Sequence, residues 1–317
     1  MKIISFDDML KLNIPAVRYY QWVEDMIRHK DQTILPPKIS IKPYEGVFCN
    51  VMPSFVHTAN ADYEGVKLVT RYPSRAPSLD SNILLLNAQN GEYLALMNAD
   101  RITALRTGAV AAHSIMLFAK KGYRTIGMMG LGNVARATLY MLLEMNPDKT
   151  FEVKLLRYKN TEALFAERFQ AYPNVTFTYA DDCASLVKGA DVVVSGVTYA
   201  PTNFCPDDAF DEGVLVVPIH TLGFTNCDLF FDKVFADDTA HVCHFKNFDR
   251  FKYFSEVTEV VNGLKPGREN PRERILAYNI GISIHDIYFA AHLYEMLKDD
   301  PNLPDIDVTG PKEKYWF

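Results

Sequence analysis

The chain has 317 residues, 48% hydrophobic and 23% charged, enough to bury one or two full cores of an ordinary globular protein. A net charge of −6 argues against a nucleic-acid partner, which would demand a basic face, and no run approaches the roughly 18 apolar residues of a membrane-spanning helix. Five cysteines, odd in number, scattered and without a C-x-x-C pair, point to reduced thiols in a cytoplasmic protein.

In chain order, residues 6–12 and 16–28 carry helical apolar spacing ahead of a Pro36-Pro37 break. Strand-like pieces follow at 38–42, 46–52, 65–71 and 82–87, divided by Pro, Gly, Asn and Ser clusters. They predict an antiparallel sheet with Asn90-Gly91 as a hairpin turn. Lys67 falls inside one of these strands, with Val66 and Leu68 on one face and Lys67, Val69 and Arg71 on the other. A solvated face is the ordinary explanation for a single lysine. Residues 100–119 are helical in pattern. Within them Arg106 stands among apolar and small neighbours, where a guanidinium is costly unless it meets an anion. A carboxylate facing its planar fork is the least expensive partner.

The strand 125–129 runs into Gly130-Leu131-Gly132 and then into a helix, 134–145, with Val134, Leu139, Leu142 and Leu143 on its apolar side. Gly130, Gly132 and Ala135 follow the G-x-G-x-x-G/A spacing: a tight turn, close backbone approach to a pyrophosphate, and close packing of helix on strand. The helix N-terminus, at Asn133 and Val134, would aim its N–H groups at phosphates. An ordinary βα turn also uses glycine, but the strand, loop and helix context is that of a dinucleotide site. Strands and helices then alternate at 151–157, 161–171, 174–179, 182–188, 191–195 and 213–219, with a final helix at 281–298. Such alternation predicts a parallel sheet covered on both faces.

Two further features bear on ligands. NAD-specific folds place an acid roughly 20 residues past the glycine loop. Here Arg157, with Lys159 and Asn160 beside it, stands at the end of the second strand, suited to a 2′-phosphate; NADP(H) is the expected preference, with NAD(H) possible. His241-Val-Cys-His244, downstream of Asp237 and Asp238, would direct Cys243 and His244 to opposite faces of a strand, and no metal is expected.

Pro37-Lys38, Met52-Pro53, Gly65-Val-Lys67, Leu105-Arg-Thr-Gly-Ala109, Gly130-Leu-Gly132 and Gly281-x-x-x-x-Asp286 together resemble, in order and spacing, the ornithine cyclodeaminase and mu-crystallin family. The resemblance spans nearly the whole chain. It implies an α/β fold in which a Rossmann-type doubly wound parallel sheet domain, 118–281, is inserted in a split α+β substrate-binding and dimerisation domain, 1–117 plus 282–317. It implies a nicotinamide enzyme acting at the C–N bond of a small α-amino or α-imino acid, and a homodimer joined through the first domain, whose sheet the C-terminal segment completes.

Residue by residue, the resemblance assigns the substrate-binding cations to Lys67 and Arg106, and starts the phosphate-facing helix at Thr107. Lys38 stands where the family has an arginine, and Asn50 where cyclodeaminases have a glutamate. Val197, Thr198 and Leu222 complete the expected cofactor contacts. Leu222 also occupies the place of the cyclodeaminases' catalytic aspartate. Leucine cannot accept a proton from an attacking amine, which favours plain imine reduction or amino-acid oxidation. That chemistry needs a carboxylate clamp, an aligned hydride and one proton source, which Lys67 or a bound water would supply. His220, at a strand end where open α/β sheets bind ligands, is either catalytic or a satisfied, half-buried histidine. A cyclodeaminase with a displaced base and a catalytically silent dinucleotide-binding protein are the alternatives.

Overall fold

The structure is a computed structural model that describes residues 1–197, 202–203, 205–219, 229–310 and 313. In chain order its regular elements are β1 (Lys2–Ile4), α1 (Phe6–Lys11), α2 (Ala16–Arg28), β2 (Ile39–Ile41), β3 (Phe48–His57), β4 (Asp62–Arg71), β5 (Leu79–Asn87), β6 (Tyr93–Asn98) and α3 (Asp100–Phe118). Then come β7 (Thr125–Met129), α4 (Asn133–Met145), β8 (Phe151–Leu156), α5 (Thr161–Glu167), β9 (Val175–Ala180), α6 (Cys183–Val187), β10 (Val192–Ser195) and β11 (Leu215–Pro218). The last are β12 (Lys233–Ala236), α7 (Thr239–Val242), β13 (Phe254–Glu256), α8 (Val257–Val261), β14 (Ile275–Tyr278) and α9 (Ser283–Leu297).

Two compact units result, Met1–Asn13, Asp31–Thr103 and Ser283–Phe317 in the first, Ile14–Lys30 and Ala104–Ile282 in the second. The division differs from the expected 1–117, 118–281 and 282–317 chiefly in α2 and most of α3. The reason for α2 is packing: it buries Tyr19, Trp22, Val23, Met26 and Ile27 and lies against α4 and α8, where Thr258 Oγ1 donates to the Ile27 carbonyl at 2.6 Å.

The first unit is a six-stranded sheet, β1-β6-β5-β4-β3-β2, antiparallel except where β1 runs parallel to β6. Alternation turns Tyr63, Gly65, Lys67, Ile83, Leu85, Ala95 and Met97 to the buried face, and α9 covers β3, β4 and β5. At Gly65 a Cβ would stand 2.7 Å from the Leu84 carbonyl oxygen and 2.9 Å from Ile287 Cδ1, so helix and sheet approach as closely as glycine allows. Strand β3 continues to His57, past the expected end at 52, with Pro53 inside it. Phe55 exchanges both backbone bonds with Ile34 on the open side of β3, so two residues earlier the nitrogen of Pro53 also faces that side, beyond the reach of β2, and removes no ladder bond. Residues 304–306 run beside β1, where Ile3 N donates to the Pro304 carbonyl at 2.9 Å.

The second unit is an eight-stranded sheet in the order β13-β12-β14-β11-β10-β7-β8-β9, parallel throughout. Strands β10 and β11 are buried along their whole length, as unbroken apolar runs between two helical layers must be. Strands β12, β13 and β14 extend the sheet beyond the expected set. Residues 239–242 form the helix α7, capped by the Asp238 side chain on His241 N at 3.2 Å, and Cys243 and His244 follow it in a turn. Among the described residues no three His, Cys, Asp or Glu side chains are grouped to hold a metal, and Cys49, Cys183, Cys205 and Cys243 are free thiols. Helices α3 and α4 meet at Gly108, where a Cβ would lie 2.5 Å from the Ala137 Cβ and 2.7 Å from Thr138 N.

Candidate active site

Strand β7 is buried to its last residues, and its end delivers the chain into a turn that only glycine can make. Gly130 has φ +71°, and a Cβ there would lie 2.3 Å from the Gly196 carbonyl carbon at the end of β10. Gly132 differs: nothing stands within 4 Å of where its Cβ would be. It is the N-cap of α4, with no side-chain cap and no acid in the first turn. Gly132 and Asn133 are exposed, with Leu131 and Val134 half-buried at the same rim and Ala135 buried beneath. A tight first glycine, an open second one and uncapped helix N–H groups fit a pyrophosphate. Half-buried Val197 follows β10 and adjoins Gly130 through its backbone nitrogen, 2.4 Å from the same Cβ position.

At the end of β8, Arg157 is exposed, its guanidinium 5.5 Å from the Tyr179 ring centroid and its Nε 3.4 Å from Asp181 Oδ1 at the end of β9. Lys159 and Asn160 follow in left-handed backbone, φ +52° and +59°, both exposed. Two cations thus flank the β8 tip where an acid would mark NAD specificity. The sequence reading missed Asp181, which faces the same arginine from the neighbouring strand.

Also in the second unit, Arg106 and Thr107 are buried on α3; the helix begins at Asp100, so Thr107 lies inside it, its N–H engaged in the helix, and not at a phosphate-facing start as expected. The Arg106 guanidinium turns its Nη edge to Gly281, where a Cβ would meet Nη1 at 2.8 Å and Nη2 at 3.2 Å. Close by is Asp237, a carboxyl that burial pushes up to about 6, against the opposing pull of the Gly281 amide and the Arg106 charge.

In the first unit, Lys67 is not on a solvated face. Its side chain is 1% exposed and donates to Asp286 Oδ1, 0% exposed, at 2.7 Å. Asp286 stands in the first turn of α9, where the helix dipole favours a carboxylate. Asn50 shares Lys67's face of the sheet, since Met52 pairs with Lys67 and Asn50 with Val69. It accepts from Ser40 Oγ at 2.6 Å, and Lys38 is half-buried just before β2. The expected site residues His220, Thr198 and Leu222 lie outside the described residues. Asp286 belonged to a motif without a role, and Asp237 followed an apolar run as one of two adjacent acids. Neither pattern alone reveals that the carboxylate faces a buried cation.

A glycine cradle at the carboxyl ends of a parallel sheet makes the second unit a Rossmann-type dinucleotide fold. The model of the ornithine cyclodeaminase/mu-crystallin family matches residues 16–300, and the chain belongs to that family. It is similar to nodulation efficiency protein NfeD of Rhizobium meliloti, 24% identical over 306 residues, 92% of this chain and 94% of that one. It is also similar to the Delta(1)-pyrroline-2-carboxylate reductase of Bacillus cereus, 25% identical over 266 residues, 77% of this chain and 80% of that one. The structure of Thermococcus litoralis Delta(1)-pyrroline-2-carboxylate reductase in complex with NADH and L-proline matches with a TM-score of 0.84 at 22% identity, over 96% of this chain and 100% of that one.

Proposed function

We propose that the protein is a nicotinamide-dependent oxidoreductase that reduces the C=N bond of a small α-imino acid, or oxidises the corresponding amino acid in reverse. The observation that carries this reading is the cradle of tight Gly130, open Gly132 and uncapped α4, in a family member whose relatives include a named imino-acid reductase. Arg106 binds the substrate carboxylate through its planar fork. Lys67 gives one proton to the imine nitrogen, and Asp286 keeps the ammonium charged and aimed. When bound, the reduced nicotinamide supplies the hydride for the imine carbon. Hydride and proton together convert C=N to CH–NH, and Lys67 must regain a proton before the next turnover. Reduction is preferred to cyclodeamination because Leu222 stands where that chemistry needs a carboxylate.

Arg157 and Lys159 support a preference for NADP(H), and Asp181, sharing the arginine, leaves room for NAD(H). The open face of the first unit's sheet supports a homodimer. It carries Leu68 at 43% and Leu96 at 39% exposure, with Val51, Val66, Leu84 and Leu86 half-buried around them, an apolar surface suited to a second copy. No helix among the described residues is long and apolar enough to cross a membrane, and free thiols suit the cytoplasm.

The test is incubation of the purified protein with NADPH or NADH and a panel of cyclic and acyclic imino acids. Loss of the nicotinamide absorbance is the expected result. Ammonia and proline from ornithine with catalytic NAD would replace the reading by the lyase, and binding without turnover by a silent binding protein.

A further inference from the structure

We infer that Asp237 is a positioning residue for the substrate-binding cation: its charge, anchored on the Gly281 amide, holds the Nη edge of Arg106 against the backbone at Gly281. The inference rests on the role proposed for Arg106. Asp237 directly follows β12, and both its carboxylate oxygens are held. Gly281 N donates to Oδ2 at 3.1 Å and Asn279 Nδ2 to Oδ1 at 3.3 Å. Asn279 is itself fixed, its backbone N on the Pro218 carbonyl at 2.9 Å and its amide on Ser114 Oγ of α3 at 3.0 Å. The carboxylate is therefore tied to the ends of β11, β12 and β14 and to the helix that carries Arg106.

Gly281, at φ +76°, completes the grip. A Cβ there would stand 2.8 Å from Nη1, 3.2 Å from Nη2 and 3.4 Å from Cζ of Arg106, so the fork rests on bare backbone. The carboxylate supplies the opposite charge that holds it there. The charged groups around Asp237 are Arg106 from α3, Lys30, whose Nζ reaches the Asp237 carbonyl at 2.9 Å, and Asp238, next in the chain and paired with Lys30 and His241. Burial pushes the carboxyl up to about 6, so acid removes a counter-charge of Arg106. A substrate carboxylate bound by a loosened fork is misaligned for hydride transfer, a fault that lowers kcat more than it raises KM.

The test compares wild type, Asp237→Asn and Gly281→Ala, with kcat expressed per NADPH-binding site. Both variants are expected to bind NADPH with wild-type affinity and to lose about 10- to 100-fold in kcat. Wild type and Gly281→Ala should show an acid limb in kcat near pH 6, and Asp237→Asn should lack it. A merely structural role would lower the number of binding sites and leave the limb in place. If the wild type reduces no imino acid, the proposed function fails on its own. The inference is then decided by a thermal-unfolding cycle of Arg106→Met and Asp237→Asn, which should be non-additive. An unchanged kcat and acid limb in Asp237→Asn, or an additive cycle, overturns it.

Discussion

The pair formed by Lys67 and Asp286 allows a prediction in which single and double substitutions should diverge. Its Nζ to Oδ1 distance is 2.7 Å and its members are 1% and 0% exposed, so neither charge has water to fall back on. Lys67→Met removes the ammonium from the Asp286 carboxylate, and Asp286→Leu removes that carboxylate from Lys67. Breaking a buried pair from one side costs about 3–5 kcal/mol, a fall in Tm on the order of 10 °C for a chain of this size. Replacing both members by apolar side chains of similar volume should be roughly neutral, and can be stabilising by about 1–4 kcal/mol. The pH dependence should separate the two single variants. In Lys67→Met, the folded chain avoids a buried anion by keeping a proton on Asp286 that the unfolded chain releases above about pH 4, so stability falls as pH rises. In Asp286→Leu, the folded chain sheds a proton from Lys67 that the unfolded chain keeps, so stability rises with pH, by up to ~1.4 kcal/mol per pH unit. Thermal unfolding followed by circular dichroism at pH 6, 7.5 and 9 reads all three variants. Parallel pH slopes in the two singles, or a double variant that loses the sum of both, would refute the idea that each charge is held in its ionised form by the other.

The two glycines of the cradle should fail differently. Gly130→Ala places a Cβ 2.3 Å from backbone and should lower Tm or prevent folding, whereas Gly132→Ala should keep the wild-type Tm and weaken NADPH binding, measured by fluorescence titration; equal behaviour would contradict the assignment. Arg157→Ala should reduce the NADPH to NADH affinity ratio by about tenfold or more, the worth of a charge-assisted bond, and Asp181→Asn should raise it. An unchanged ratio in Arg157→Ala would remove this residue as the phosphate reader. Introducing aspartate at the open sheet face, Leu68→Asp with Leu96→Asp, should convert a dimer to monomer in light scattering. A wild type that is already monomeric would end the dimer proposal.

Long elements with a clear period were legible. The helix expected at 100–119 is α3, 100–118, and the glycine loop lies between β7 and α4 as its spacing required. Shorter, wholly buried pieces were not. Strands β12 and β14 have four residues each with every position buried, so neither alternation nor length distinguishes them from the aromatic-rich chain around them. Residues 239–242 form a single turn that Asp238 caps, too short to carry a helical apolar period in the sequence. Lys67 and Arg106 could be singled out as cations in apolar settings. Their partners could not: Asp286 is 219 positions from Lys67 in sequence, and Gly281 meets Arg106 only through the fold.

The contact between α3 and α4 gives Gly108 a meaning beyond its place in Leu105-Arg-Thr-Gly-Ala109. Any side chain at that position would strike Ala137 and the backbone of Thr138, and because backbone is struck, trimming residue 137 to glycine would not make room. The separation of the two helices is thus a gauge set by a missing atom. One side of the gauge carries the cation proposed to hold the substrate acid, and the other carries the amides proposed to hold the cofactor's phosphates. Their spacing within this unit cannot drift by small, independent substitutions at the crossing point. A change of substrate size during divergence would have to be absorbed elsewhere in the chain, while this span stayed constant.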